Sequence, residues 1–366
     1  MSTPTEKRPR KARAASPKSQ RAEDGSTSDA TVLGPEQLSE GSAEEETGMA
    51  TLESGGTFNW SIERREEMLD DHPVVTGLYT VPTPMLRRAL DEARDRVWTR
   101  RTGVVFHGET RAGKTTCALS IRDHLREEFK TIYITMASCR SSDRPKPGLM
   151  RRLILEGSNH VLSSRQDPEQ LLKNVIIDVQ ANVTNLGGDQ YVLILDEVNL
   201  GNERDFTELL EIHNILFLKG IRMTTISFGQ PDILTRINSL QATNKPQIIA
   251  RFFRKPIPFQ SCNSEAILAE VIRCLDEDTD WPEGSGWTYT YFFFPRAYRA
   301  GFRLSKYAAQ IWSALLNASP TRNGEFTMET IALTINGIYL GCWREDGDGF
   351  VLSAEHIAVA LDAADL

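Results

Sequence analysis

Eight residues constrain this chain more than any others: Gly108-Glu109-Thr110-Arg111-Ala112-Gly113-Lys114-Thr115. They follow the short apolar run Gly103-Val-Val-Phe-His107 and lead into a stretch with helical spacing, 115–128. The segment matches G-x-x-x-x-G-K-[ST] at every fixed position, which in a chain this long is a chance event of roughly 1%. The spacing has a chemical reason. Gly108 and Gly113 let the backbone curl so that successive N–H groups point at one phosphate, beside the positive end of the next helix. Lys114 would then reach the β- and γ-phosphates, the Thr115 hydroxyl would bind Mg²⁺, and Thr116 would touch the α-phosphate. A loop of this kind between a strand and a helix is expected to hold a nucleoside triphosphate, taken here as ATP.

The rest of the chain reads as a parallel α/β core. Short apolar runs at 103–107, 130–136, 191–195 and 222–228 read as strands, and 83–98, 115–128, 149–162, 168–185 and 206–217 carry apolar residues at helical spacing. Strands alternating with helices imply a mostly parallel sheet covered on both faces. From about residue 262 the pattern is mainly helical. Four segments follow: a tail over 1–56, a helical extension over 57–102 whose order begins near Phe58-Asn-Trp60, the core over 103–260, and a smaller helical lid domain over 261–366. The aromatic cluster Trp281, Trp287, Tyr289, Tyr291, Phe292, Phe293 and Phe294 is read as core packing of the last segment rather than as a partner site.

Charge is unevenly spread. The net charge is −8, yet residues 1–22 are strongly basic and 23–56 strongly acidic, with no Lys or Arg in the latter. Those first 56 residues hold few large apolar groups and are expected to stay disordered. No run of about 20 apolar residues exists, which excludes a membrane-spanning helix. The start of the chain lacks the apolar segment of a secretory signal. Five cysteines without a C-x-x-C pair suit neither a disulfide framework nor a zinc site, so a cytoplasmic protein without a structural metal is expected.

The second half of a nucleotide site should be an acid at the end of a buried strand, and Tyr191-Val-Leu-Ile-Leu-Asp196-Glu197 supplies two. Asp196 would hold Mg²⁺, and Glu197 would orient and deprotonate the attacking water, a role that hydrolysis requires and mere binding does not. The alternative, an acidic pair that only caps a helix, loses weight beside the phosphate loop. The strand ending at Gln230 should lie between the two motifs, with Gln230, or else Ser227, positioning water at the γ-phosphate. A polar residue that simply closes the strand before Pro231 is the alternative there.

With both motifs placed, residues 58–315 resemble the AAA+ ATPases, most closely the TniB/TnsC group of transposition regulators and the related ExeA-type ATPases. The resemblance rests on His72-Pro73 with a Thr-Pro downstream, on Leu195-Asp196-Glu197, and on Phe228-Gly-Gln-Pro-Asp-Ile-Leu234. Arg111 stands where small residues are commoner, and Asn199 stands where His or Gln often follows the acidic pair. The resemblance implies a P-loop sheet sandwiched by helices, a helical lid, and a protein that assembles with ATP as a ring or filament on double-stranded DNA. It also implies recruitment or activation of a transposase at the target, with a target-selector protein as a further partner. Arg251 or Arg254 would act in trans on a neighbour's γ-phosphate, Arg303 would sense nucleotide from the lid, and hydrolysis would release the assembly. DNA contacts are expected from the cation-rich segment that holds Arg140, Arg144, Lys146, Arg151 and Arg152, through phosphates and without sequence preference. Arg87, Arg88, Arg100 and Arg101 form a weaker second patch. The alternative class is an ExeA-like or STAND-like ATPase acting as a nucleotide-gated scaffold in secretion or defence, without direct DNA binding.

Overall fold

The computed structural model describes residues 62–77, 79–81, 83–141, 146–159, 167–319 and 324–364. The readings of the tail and of Phe58 and Trp60 lie outside them. In chain order the described elements are α1 (Ile62–Leu69), α2 (Pro73–Thr76), α3 (Pro84–Trp98), β1 (Gly103–His107), α4 (Lys114–Glu128), β2 (Ile132–Ser138), α5 (Leu149–Gly157), α6 (Pro168–Asn185), β3 (Gln190–Asp196), α7 (Glu203–Leu218), β4 (Arg222–Gly229), α8 (Ile233–Ala242), α9 (Pro246–Phe252) and β5 (Pro256–Pro258). Helices alone follow: α10 (Glu265–Glu277), α11 (Tyr289–Phe293), α12 (Pro295–Arg299), α13 (Ala308–Ala318), α14 (Met328–Cys342) and α15 (Ala354–Asp362).

The sheet order is β2-β3-β4-β1-β5, and every pairing is parallel. The strands are near-continuous apolar runs because both faces are covered. On one face α3 and α4 place Ala89, Ala93, Ile121 and Leu125 against Phe106, Ile194 and Phe228. On the other, α5 to α9 place Leu153, Val175, Leu209 and Ile237 against Val105, Leu193 and Leu195. The order puts β4 between β3 and β1, as expected, so β3, β4 and β1 are neighbours in the middle of the sheet and their carboxyl ends form one edge. In a parallel sheet that edge is where ligands bind.

Local chemistry sets the helix starts. Thr83 accepts the Leu86 N–H at 3.1 Å with Pro84 at the first helical position. Asn202 and Asp205 form a reciprocal capping box at α7. Thr327 caps α14. Three expectations are corrected. The second strand runs from Ile132 to Ser138, two residues later than read. Helix α5 ends at Gly157, where a Cβ would lie 2.2 Å from the Met136 carbonyl oxygen, so the chain turns away where only glycine fits. A short fifth strand, Pro256–Pro258, was not expected; its prolines are tolerated because it lies at the sheet edge.

The helices after β5 pack around a core that includes Phe292, Phe293 and Phe294, all 0% exposed, with Phe293 stacked on Tyr339 and Phe294 on Phe350. The aromatic cluster is packing, as read. His72 is sealed into the same core among Trp281, Tyr289, Phe292 and Phe293. All five cysteines are free thiols, and burial pushes that of Cys117 up to about 12. Among the described residues no helix is long and apolar enough to cross a membrane.

Candidate nucleotide site

The loop leaves β1 at His107 and returns to helix at Lys114. Two positions require their glycines. A Cβ on Gly108 would lie 2.3 Å from the Phe259 carbonyl oxygen, and Gly113 sits at φ +91°. Arg111 also adopts a left-handed backbone, at φ +60°, which few residues other than glycine take readily. Lys114 folds back into the loop, donating to the carbonyl oxygens of Gly108 at 2.9 Å and Glu109 at 2.7 Å. Burial lowers its pKa, opposed by the charges of Glu197, Asp196 and Glu109.

The acidic pair meets the loop from β3. The Thr115 hydroxyl donates to Asp196 Oδ2 at 2.7 Å, and Asp196 Oδ1 accepts the Glu197 N–H at 3.0 Å. Glu197 itself is a left-handed residue, φ +49°, a strained conformation of the kind that clusters at functional sites. From the end of β4, Gln230 Nε2 donates to Glu197 Oε2 at 3.3 Å. Ser227, the other choice, is not at this tip. It lies opposite Val105 and Leu195 in the register and is buried among that face's core.

A cavity of about 520 Å³ opens over the loop. Thr110 to Cys117 form its floor, with Glu197 at the side. One wall comes from the segment before α3, with Tyr79, Thr80 and Val81. The other comes from α14, with Met328, Glu329, Leu333 and Asn336. Two contacts tie the walls and floor together: the Tyr79 hydroxyl donates to Asn336 Oδ1 at 2.9 Å, and Arg111 pairs with Glu329 at 3.1 Å. Sequence reading missed both walls, because no local motif links residues so far apart in the chain.

Residues 98–237 match the family model of an AAA domain. The parallel five-stranded sheet, its helical layers and the loop after β1 are the P-loop AAA+ fold. No curated protein matches the chain. Similar solved structures include the Aeropyrum pernix ORC2 protein in ADPNP–ADP complexes, 13% identical over 78% of this chain and 68% of that one, TM-score 0.45. Cdc6p of Pyrobaculum aerophilum is 12% identical over 76% of this chain and 67% of that one, TM-score 0.49. The Aeropyrum pernix ORC1 protein in complex with DNA is 12% identical over 75% and 63%, TM-score 0.43.

The arginines sort differently from the loop residues. Arg303 is not among the residues lining the cavity. Its guanidinium lies 3.3 Å from the Tyr298 ring centroid and donates to the carbonyls of Tyr298 and Phe302. The lid wall presents no arginine or lysine among the described residues. Arg251 lies in the last turn of α9 with its carbonyl beside Gly103, at the end of β1 remote from the loop, and Arg254 follows the helix as an exposed residue. A five-residue strand is about 16 Å long, so neither reaches the loop of its own chain.

The cation-rich segment also divides. Arg140 is exposed and pairs with Glu156 at 2.9 Å, and Lys146 is exposed. Arg144 lies outside the described residues. Arg151 is no surface cation: it is 9% exposed, pairs with Glu211 at 2.6 Å and donates to the Pro168 carbonyl at 2.8 Å. Helical spacing points it inward, where it pins α5 to α6 and α7. Arg152 is half-buried. In the weaker patch, Arg87 pairs with Asp278, Arg100 with Asp189 and Arg101 with Asp95, so much of its charge is matched.

Proposed function

We propose that this chain is an ATP-hydrolysing AAA+ protein that assembles with copies of itself on double-stranded DNA and regulates transposition by recruiting or activating a transposase. The observation that carries the chemistry is the 2.7 Å contact between Thr115 and Asp196 beside Lys114, with Glu197 facing the cavity. Thr115 and Asp196 offer hard oxygen donors that suit Mg²⁺, and the second Asp196 oxygen is already steadied by the Glu197 N–H. Bound there, the ion supplies charge neutralisation at the phosphate oxygens. Loop N–H groups and the start of α4 hold the phosphates, and Lys114 exchanges its carbonyl partners for phosphate oxygens. Glu197 takes the proton of the water that attacks the γ-phosphorus, the bond to the β-phosphate oxygen breaks, and ADP and phosphate leave.

Assembly and DNA follow from different residues. Arg251 and Arg254 are too far from their own loop, which supports action on a neighbouring copy. Arg140 and Lys146, exposed after β2, suit phosphate contacts; Arg151 is withdrawn from that role. The transposition assignment rests on the resemblance to the TniB/TnsC group. The test is binding to a fluorescent random-sequence duplex with ATP, ADP, a non-hydrolysable analogue or no nucleotide, at two salt concentrations. Tight, salt-sensitive binding with the triphosphates alone is expected. No binding with any nucleotide removes DNA as the direct partner and leaves a nucleotide-gated protein binder.

A further inference from the structure

The β3–β4 ladder stops at the pair Leu195 and Ser227, just short of the site. Beyond it, β4 continues through Gly229 to Gln230, the residue whose side chain touches Glu197. Something other than a strand has to hold that extension. On one side the Gly229 carbonyl accepts the Gly108 N–H at 3.1 Å. On the other, the Gln230 N–H is taken by a side chain: Asn199 Oδ1, at 3.0 Å.

Asn199 is placed for this. It is 3% exposed, in the short 3₁₀ turn Val198–Leu200 that follows the acidic pair. The turn packs so closely on β4 that a Cβ at Gly229 would lie 3.0 Å from Asn199 Oδ1 and 3.0 Å from Val198 Cγ1. Its Nδ2 faces Asp232 Oδ2 at 3.5 Å, and its carbonyl accepts from Arg236 at 3.4 Å. These partners fix the amide orientation: oxygen toward the N–H, nitrogen toward the carboxylate. Residues 197, 199 and 230 thus close a ring, in which Asn199 holds the backbone of Gln230 and Gln230 holds the carboxylate of Glu197.

We infer that Asn199 is a positioning residue for hydrolysis. It replaces the missing strand partner of Gln230 and so sets where the Gln230 amide meets both Glu197 and the γ-phosphate. The inference rests on the hydrolysis reading above. The residue type follows from the two contacts, since the side chain has to accept from an N–H while facing a carboxylate. Alanine removes the acceptor, whereas aspartate keeps it at the cost of a like charge beside Asp232.

The test is ATP turnover, together with affinities for ADP and a non-hydrolysable triphosphate analogue, in wild type, Asn199→Ala, Asn199→Asp, Gln230→Ala and the Asn199→Ala/Gln230→Ala pair. Thermal melting provides the folding control. The expected result for Asn199→Ala is a fall in kcat of about tenfold, the scale of one lost buried hydrogen bond, with KM for ATP and ADP affinity held within about twofold. Asn199→Asp should keep kcat within about threefold of wild type, and Asn199→Ala should add less than about twofold to Gln230→Ala, because the two act through one contact. Equal losses in both backgrounds, an Asp variant as poor as Ala, or a parallel loss of ADP affinity would overturn the assignment. If wild type binds nucleotide but turns none over, the hydrolysis reading fails alone. Asn199 is then judged by the ratio of analogue to ADP affinity, which Asn199→Ala must shift only where Gln230 is present.

Discussion

Asp196 and Asp276 are both buried carboxylates without an ion pair among the described residues, and the molecule uses them in opposite ways. Asp276, 0% exposed in the helical region, is saturated: the Thr290 hydroxyl donates at 2.6 Å, and the N–H groups of Leu304 and Ser305 at 3.1 and 2.9 Å. Two of those donors are backbone, fixed by the fold. Asp196 at the carboxyl end of β3 receives one rotatable hydroxyl and the N–H of the next residue, and beside it Glu197 stands in a strained conformation held by a single side-chain amide. A carboxylate met from several sides by rigid donors is a pin. One whose donors include a rotatable hydroxyl can turn to a cation, and one held by a single side-chain amide can take the proton of a water.

The largest effect that separates the two is at Glu197. Glu197→Gln should lower ATP turnover about a thousandfold, since general-base catalysis contributes 10²–10⁴, while ATP still binds and the melting temperature stays within about 2 °C. Phosphate release and nucleotide binding measure this. Turnover that survives would move the base elsewhere.

Asp276→Ala should do the reverse. Leaving two backbone amides and the Thr290 hydroxyl without their acceptor should cost about 3 kcal/mol, a fall in Tm of several degrees, and turnover per folded molecule should change little. Denaturant unfolding checks the first part. A specific loss of turnover at temperatures where the variant is folded would break the contrast between pin and reactive group.

His72 sharpens the same contrast through pH. Burial among aromatic rings pushes its pKa down to about 3, and Nε2 has no hydrogen-bond partner. Its folded value lies below its unfolded value near 6.5, so the unfolded chain binds the proton first. Stability is therefore intact above about pH 6.5 and is lost as pH falls toward the folded pKa, by about 2 kcal/mol between pH 7 and pH 5. Nδ1 accepts the Val74 N–H at 3.1 Å, a capping role that asparagine also fills. His72→Asn should thus be less stable at pH 7 yet show a flatter Tm across that range.

What sequence made legible follows the range of each interaction. The sheet strands other than β5 were readable because two-sided burial makes their residues near-continuously apolar, and the loop and acidic pair because phosphate chemistry fixes residue types at local spacing. Asn199 was visible only as a departure from a pattern; its contact with Gln230 exists only once β4 lies beside β3. Arg151 and Arg303 were read as ligand-facing because arginines near a motif look alike in sequence. Helical phase turned Arg151 inward onto Glu211, and the Tyr298 ring holds Arg303. Tyr79, Glu329 and Asn336 needed the lid placed over the loop before they could be read at all.

The smallest expected effect tests whether the reactive region stores strain in its loop as well. Arg111 occupies a left-handed conformation that costs an ordinary residue about 1 kcal/mol, and glycine would relieve it. Against this, the Arg111 pair with Glu329 is lost, but its side chains are 70% and 48% exposed, and a pair this open contributes only about 0–1 kcal/mol. Glycine also loosens the unfolded chain by a comparable amount. The three contributions nearly cancel, so Arg111→Gly should leave Tm within about 2 °C of wild type at any salt concentration. Glu329→Ala keeps the strained backbone and removes the pair alone, so it should fall slightly below wild type at low salt and meet it at high salt. A large loss in either variant would mean that the bridge between loop and lid, rather than the loop's own backbone, holds the cavity open.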